Sequence, residues 1–261
     1  MATCAQGPYE NAASKLPAKD ARTLYPVIFE DRWFVAAAKP AAVLSHPNHA
    51  GAEKRGAAAF EGPYSFQERC FATPAGPLWL IHRLDQDASG ILLAAKDAGT
   101  AAKMRQLFEK QEVTKAYVAL LAGRLQPARG TWKDCMDEKK TGASVRAFVR
   151  SAGPANALLK YQVKGFFQRP GLTLVEIELV TGRTHQIRVQ AAYRRHPVAG
   201  DGVYGHFAMN KRWRAELGLK RLFLHSYRLA FRHPHTGKAV DIVEPLPEDL
   251  EKVLAKAGPG R

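Results

Sequence analysis

The sequence predicts an α+β fold, with a mixed, mainly antiparallel sheet as its core and helices flanking it. Three observations lead there. Short alternating apolar runs outnumber helical stripes. These runs do not alternate regularly with helices, as a parallel α/β sheet would require. Several are paired across turn residues, as antiparallel hairpins are. The chain has 261 residues, 46% of them hydrophobic, enough for one large mixed domain or two small ones with a buried core.

Taken in order, residues 1–24 are small and polar and read as a loose arm. Pro26 to Ala38 reads as a strand pair, Val27-Ile28-Phe29 and Trp33-Phe34-Val35 flanking the Glu30-Asp31-Arg32 turn. Lys39-Pro40 stops it. A long loop follows to about Gly76, and its Asn48–Gly62 part, rich in Ala, Gly, Glu and Lys, is expected to be mobile. Leu78 to Ile81 forms an apolar strand. Asp97 to Lys110 reads as a helix, capped by Asp97 or Thr100, with Ala101, Met104, Leu107 and Phe108 as its stripe. Val113 to Leu121 alternates as a strand, with Ala116, Val118 and Leu120 on one face. Lys115, Tyr117 and Ala119 fall on the other, the polar side. Further strands are expected at about 143–150, 159–168 and 172–181. In the last, Val175, Ile177 and Leu179 oppose Glu176 and Glu178, the pattern of a half-buried antiparallel sheet. Arg183 to Arg195 forms a short helix ended by Pro197, residues 221–231 another strand, and Pro245 to Ala255 a terminal helix. Residues 251–261 read as a basic tail. No internal repeat is present.

Composition narrows the partners. Lys and Arg total 39 against 24 Asp and Glu, a formal charge of +15, which favours a polyanion such as nucleic acid. A membrane-spanning role is disfavoured, because no apolar run approaches the roughly 20 residues a span requires. The amino terminus lacks the basic-then-apolar order of a signal peptide. Cys4, Cys70 and Cys135 are scattered and read as reduced thiols of a cytoplasmic protein, forming neither a disulfide framework nor a zinc site.

Four segments could carry chemistry. His82-Arg83-Leu84-Asp85-Gln86-Asp87-Ala88-Ser89-Gly90 sets an acid two residues after an arginine, at the entrance of an apolar strand. On a polyanion-binding surface each carboxylate repels phosphate, so Asp85 is either a catalytic acid or an ordinary turn acid or cap. Asp87 suits the structural role. A metal site on Asp85 and Asp87 would need more oxygen ligands than His, Arg, Leu and Ser neighbours provide. The second segment, Thr181-Gly182-Arg183-Thr184-His185-Gln186-Ile187-Arg188, places His185 and Arg188 three apart on a helix. There they suit phosphate binding, or fixing of a buried carboxylate, unless they form a solvated basic face. Gly200 to Gly205 follows and reads as a tight bend. Third, Tyr117 in Lys115-Ala116-Tyr117 can stack on a base or be an ordinary strand tyrosine. Fourth, residues 181–232 hold eleven Lys and Arg, opposed only by Asp201 and Glu216 and interleaved with Trp213, Phe207, Tyr193 and Tyr227. That is the footprint of a structured-RNA surface.

Together these segments resemble the RluA-type pseudouridine synthases. The resemblance runs from about Ile28 to Pro245, through Glu30-Asp31, Lys39-Pro40, His46-Pro47, His82 to Asp85, Ser89-Gly90 and Lys115-Ala116-Tyr117. It continues through Thr181 to Arg188, Gly200-Asp201, Tyr204-Gly205 and Leu224-His225. The arginine-leucine-aspartate turn and the Thr181–Arg188 segment are each fairly specific, and their order strengthens both. Two positions depart from the family: Ala88 stands where threonine is usual, and Ala42 where glycine is, both at turn-shaping sites. Only about 25 residues precede the resemblance, fewer than the accessory RNA-binding domain of many relatives, so a stand-alone catalytic domain over 25–250 is expected.

The resemblance implies isomerisation of uridine in structured RNA, ribosomal or transfer, by a cytoplasmic monomer needing neither cofactor nor metal. It makes Asp85 the essential carboxylate, leaving open whether it attacks sugar or base or removes a sugar proton. It pairs Arg188 with Asp85, so that a guanidinium compensates an acid in a dry pocket. It packs Tyr117 on the uracil, as the group that takes the carbon-5 proton, and puts Arg83 in the gap left by the flipped nucleotide. His82, Arg183, His185 and Ile187 complete the implied RNA contacts. Two rivals use the same residues: a non-catalytic RNA-binding or ribosome-assembly factor, and a metal-dependent nuclease built on Asp85 and Asp87.

Overall fold

The computed structural model describes residues 22–48, 57–141 and 144–258. All but the last three residues of the expected arm lie outside these, as does most of the 48–62 loop. The first hairpin, β1 (Val27–Glu30) and β2 (Phe34–Lys39), closes where expected. Asp31 makes the turn, its Oδ1 accepting the Trp33 and Phe34 amides at 2.7 Å each. Three short strands follow, β3 (Tyr64–Ser65), β4 (Cys70–Thr73) and β5 (Gly76–Leu80), then β6 (Ser89–Ala95). The expected helix is α1 (Ala98–Glu109), with Asp97 as its cap, accepting the Thr100 amide at 2.8 Å. Next come β7 (Thr114–Ala122), β8 (Arg129–Asp134), the separate hairpin of β9 (Met136–Thr141) and β10 (Ser144–Val149), and the long pair β11 (Ala157–Phe167) and β12 (Leu172–Leu179). The chain ends with α2 (Gln186–Tyr193), α3 (Phe207–Leu217), β13 (Leu224–Arg232), β14 (Ala239–Val243) and α4 (Glu248–Ala257).

Twelve strands join in one sheet, with the path β3-β4-β5-β6-β13-β7-β12-β11-β8. The β2 strand adds to β6 and carries β1, and β14 adds to β13. Every pairing is antiparallel except β6 with β13, where Ser89 and Gly90 lie beside His225 and Ser226. The mixed, mainly antiparallel core is as the sequence predicts. Centrality changes one expectation. The β7 strand lies between β13 and β12, and residues Lys115 to Ala122 are all buried. Its Lys115–Tyr117–Ala119 face is therefore not polar; Tyr117 and Ala119 belong to the largest apolar cluster, with Leu84, Ala88, Ile177, Ile187 and Leu224.

Elements also appear where none is expected. The α3 helix is polar, burying only Trp213 and Leu217. The expected helix at 183–195 starts three residues later, because His185 takes a left-handed backbone, φ 52°. The α4 helix runs through the boundary placed at residue 250 and buries Leu250, Val253 and Ala257. Residues 251–257 are thus packed helix, not tail. Cys70 and Cys135 are free thiols, and among the described residues no helix is long and apolar enough to cross a membrane.

Candidate active site

The site forms where the parallel seam meets the start of α2. Residues 81–88 connect β5 to β6 and carry Asp85; residues 180–185 connect β12 to α2. Lys39, at the end of β2 and 1% exposed, clamps the first connection. Its Nζ donates to the carbonyls of Ala88 at 2.6 Å, Val43 at 2.8 Å, Pro40 at 2.9 Å and Gln86 at 3.1 Å. Burial pushes the Lys39 amine down to about 7, against the pull of Asp85 and Asp87. Ser45 Oγ and the Leu84 backbone bond reciprocally, fixing the residue before the acid.

Asp85 and Arg188, 103 residues apart, meet: Arg188 Nη1 donates to Asp85 Oδ2 at 3.2 Å. The rest of the guanidinium belongs to Asp201, with Nε to Oδ2 at 2.8 Å and Nη2 to Oδ1 at 2.9 Å. Asp201 also accepts the Val203 and Tyr204 amides, at 2.8 and 2.9 Å. Burial raises its carboxyl, but the Arg188 guanidinium and these amides outweigh that and hold it below the usual carboxylate range. Burial likewise lowers Arg188, and its two acid partners more than reverse this. The Gly200–Gly205 bend is therefore the seat of a buried counter-ion, a role the sequence reading did not give it. Gly200 itself has φ 78°, and a Cβ there would collide with the Arg221 carbonyl.

A cavity of about 100 Å³ opens on Asp85, with Tyr117, Leu179, Ile187, Leu224 and Ala88 as apolar walls. Arg83, Arg183 and His185 stand at its polar edge. An apolar slot with one acid and several cations at its rim suits a flat polar ring on an anionic chain. The Tyr117 phenol is raised well above its ordinary value by burial, despite a hydrogen bond from Ser226, so it is protonated at neutral pH. His185 Nε2 lies 4.0 Å from Asp85 Oδ1, and burial lowers its pKa although Asp85 pulls it up. The Tyr204 hydroxyl accepts the Ala147 amide at 2.9 Å and has its proton free for His185 Nδ1 at 2.9 Å. Gln186 braces the α2 entrance, accepting the Arg183 amide at 3.0 Å and the Thr181 hydroxyl at 2.8 Å.

His82 is the exception among the expected site residues. It does not line this cavity; its Nε2 accepts the Leu93 amide at 3.1 Å and its ring stacks on Phe108. Burial pushes it down to about 3, so its imidazole is neutral, and it lines the adjoining cavity with Arg83 instead. Among the described residues no group of three or more His, Cys, Asp or Glu side chains could hold a metal.

The arrangement of acid, arginine and tyrosine around an apolar slot coincides with a family match. Residues 34–193, well over half of the chain, match the family described as RNA pseudouridylate synthase. The chain belongs to this family. The matched span includes Asp85, Tyr117 and Arg188 but ends before Asp201. The chain is 31% identical over 228 residues to the ribosomal large subunit pseudouridine synthase C of Pasteurella multocida (strain Pm70), covering 87% of this chain and 66% of that protein. Identity to the protein of the same name from Vibrio vulnificus (strain CMCP6) is 37% over 180 residues, 68% of this chain and 54% of the other. The chain thus spans about half to two thirds of the length of these curated relatives. The structure titled Human RNA Pseudouridylate Synthase Domain Containing 4 superposes with a TM-score of 0.65 at 22% identity, over 88% of this chain and 92% of that one, a likeness of fold.

Proposed function

We propose that this pseudouridylate-synthase family member isomerises uridine to pseudouridine in large-subunit ribosomal RNA. The observation that carries the reading is the buried guanidinium of Arg188, aimed at Asp85 through 3.2 Å at the mouth of an apolar slot. The names of the relatives favour ribosomal over transfer RNA as the substrate. In the reaction the bond from ribose carbon 1′ to uracil N1 breaks, the base turns, and carbon 1′ joins carbon 5; carbon 5 then gives up its proton and N1 takes one up, so the product is an isomer of the substrate. No electron is gained or lost overall, so the chemistry calls for no redox cofactor.

Asp85 supplies the carboxylate on which bond breaking depends, and Arg188 compensates its charge when the base excludes water. The Tyr117 ring packs against the uracil. Burial keeps its phenol protonated, which fits packing on the base and does not fit taking up the carbon-5 proton. Ile187, Leu179 and Leu224 complete the slot. Arg83 enters the stack where the uridine has left, offsetting part of the few kcal/mol that flipping costs. Arg183 and His185 contact the flipped nucleotide from the α2 side. The chain acts as a monomer in the cytoplasm in this reading.

The test is Asp85→Asn incubated with ribosomal RNA from cells lacking the gene, with pseudouridine mapped along it. Wild-type protein is expected to add pseudouridine at defined positions; the variant is expected to add none while binding the same RNA equally well. Pseudouridine formation by the variant would overturn the assignment.

A further inference from the structure

A second cavity, of about 280 Å³, lies beside the uridine slot, and Arg83 lines both. His46, Tyr64, Phe66 and Arg69 form its walls, with Leu80 at its floor. One side is an ordered aromatic cluster. His46 stacks flat on Tyr64, ring centroids 5.0 Å apart, and Phe66 stands edge-on to both at 5.9 and 5.1 Å. Tyr64 is buried, whereas Phe66 is 43% exposed. An aromatic held edge-on by its neighbours and open to solvent is a stacking platform without a partner.

The other side is cationic. Arg69 and Arg83 line the cavity; burial raises the Tyr64 phenol, and the charges of Arg69, Arg105 and Arg83 pull against it. Among the described residues none of the three forms an ion pair. Arg105 reaches the Leu80 carbonyl through Nη2 at 3.0 Å, but its Nε is buried with no partner, the one such side-chain atom among the described residues. Arg69 projects from a left-handed backbone, φ 55°, a strained conformation for a residue with a Cβ. Three like charges, one strained and one incompletely bonded, are unfavourable alone and favourable around an anion.

We propose that this cavity is a subsite for the nucleotide adjoining the target uridine, with its phosphate on Arg69 and its base against Phe66 and His46, Arg83 standing between the two stations. Arg105 adds charge from behind. The proposal rests on reading the neighbouring slot as the uridine site, because the shared Arg83 makes the two cavities consecutive stations for one RNA strand.

The test uses the full chain, fluorescein-labelled decauridylate and fluorescence anisotropy over a salt series. Phe66→Ala is expected to raise Kd about tenfold, the loss of one stacked base, with the salt slope unchanged. Arg69→Asn keeps a residue that tolerates the left-handed backbone; it is expected to raise Kd and reduce the slope by about 0.7, one single-strand phosphate contact. Both side chains are exposed, so thermal unfolding should match wild type. Wild-type Kd and slope in both variants would overturn the subsite, as would absence of salt-dependent binding by wild type. Pseudouridine formation on ribosomal RNA is measured with the same preparations. If wild type makes none while both variants lose affinity for decauridylate, the catalytic reading falls and the nucleotide subsite stands. If wild type turns over and both variants bind as it does, the subsite alone falls.

Discussion

Arg188 is one guanidinium between two acids, and the division is unequal. Asp201 is fully enclosed and takes two of its nitrogens, while Asp85, with 21% of its side chain exposed, takes one. The bidentate grip fixes the plane of the guanidinium and so aims its free nitrogen at Asp85. Asp201 is a positioning residue in this arrangement. Asp201→Asn is expected to lower kcat for pseudouridine formation about 100-fold, the effect of a misplaced charge near the reacting atoms, with KM within a few-fold. The same change leaves a buried guanidinium undercompensated and should cost about 3 kcal/mol of stability by denaturant titration. Wild-type kcat in a destabilised variant would reduce Asp201 to a structural role. The pairing of Asp85 with Arg188 was readable because both lie in specific segments. Asp201 was not, since an acid between two glycines reads as a bend; the signal available was that a buried arginine has more donors than one acid can satisfy. Ala42 stands at a turn-shaping position, and its φ of 66° fits one: it holds a conformation that glycine adopts without strain.

At the scale of elements, the site depends on a seam that joins distant parts of the chain. Ser89-Gly90 and His225-Ser226, separate in sequence, are paired rungs of β6 and β13. A Cβ at Gly90, φ 120°, would collide with the Ser226 carbonyl. The His225 imidazole, pushed down to about 4 mainly by burial, bridges Ser89 Oγ at 2.9 Å and the Glu244 carbonyl at 3.0 Å. Glu244 sits between β14 and α4, and burial raises its carboxyl to about 7. An acid raised in the folded state binds a proton there that the unfolded chain has lost. Its contribution is therefore intact below about pH 4.5 and is lost as pH rises to about 7. Glu244→Gln should match wild type in Tm near pH 4 and exceed it at pH 8; parallel Tm profiles across that window would exclude the titration. The β1–β2 hairpin, α1 and the β11–β12 pair are legible because their apolar positions alternate or repeat at helical spacing, whereas β3 and β4 fall inside the expected loop to Gly76, and β8, β9 and β14, mostly short and exposed, carry no such pattern. The α3 helix escaped because its buried residues, Trp213 and Leu217, are too few to make a stripe, and Lys39 because its four carbonyl partners are backbone atoms that no side-chain pattern announces.

For the whole molecule, formal charge overstates what is free to meet RNA. The 181–232 stretch looked opposed by two acids alone, yet folding brings others to it. Asp85 and Asp201 take Arg188, Asp134 takes Arg194, Glu216 takes Arg212, Asp249 takes Arg221 and Asp241 takes Arg228. Trp213, read as an RNA-facing aromatic, is 1% exposed and belongs to the core. Among the described residues Lys211, Arg214 and Lys220 form no ion pair, and they line one cavity with Phe207, which is 85% exposed. Phe207, Lys211 and Arg214 recur at helical spacing on a single α3 face. Asn210, on the same helix, accepts the Gly200 amide at 3.0 Å and donates to the Asp201 carbonyl at 2.8 Å, fastening this face to the loop that holds Arg188. Free cations rather than total charge should then set the salt dependence of RNA binding. Replacing Lys211, Arg214 and Lys220 together by Gln is expected to weaken binding and flatten the plot of log K against log salt by about two units, near 0.7–0.9 per phosphate contact. Replacing Arg212, Arg228 and Arg232 by Gln removes the same formal charge from groups already bonded to Glu216, Asp241 and the Gly237 carbonyl. That variant should keep a slope within about one unit of wild type. Equal flattening by the two triple variants would mean that RNA responds to net charge alone, and the α3 face would lose its role.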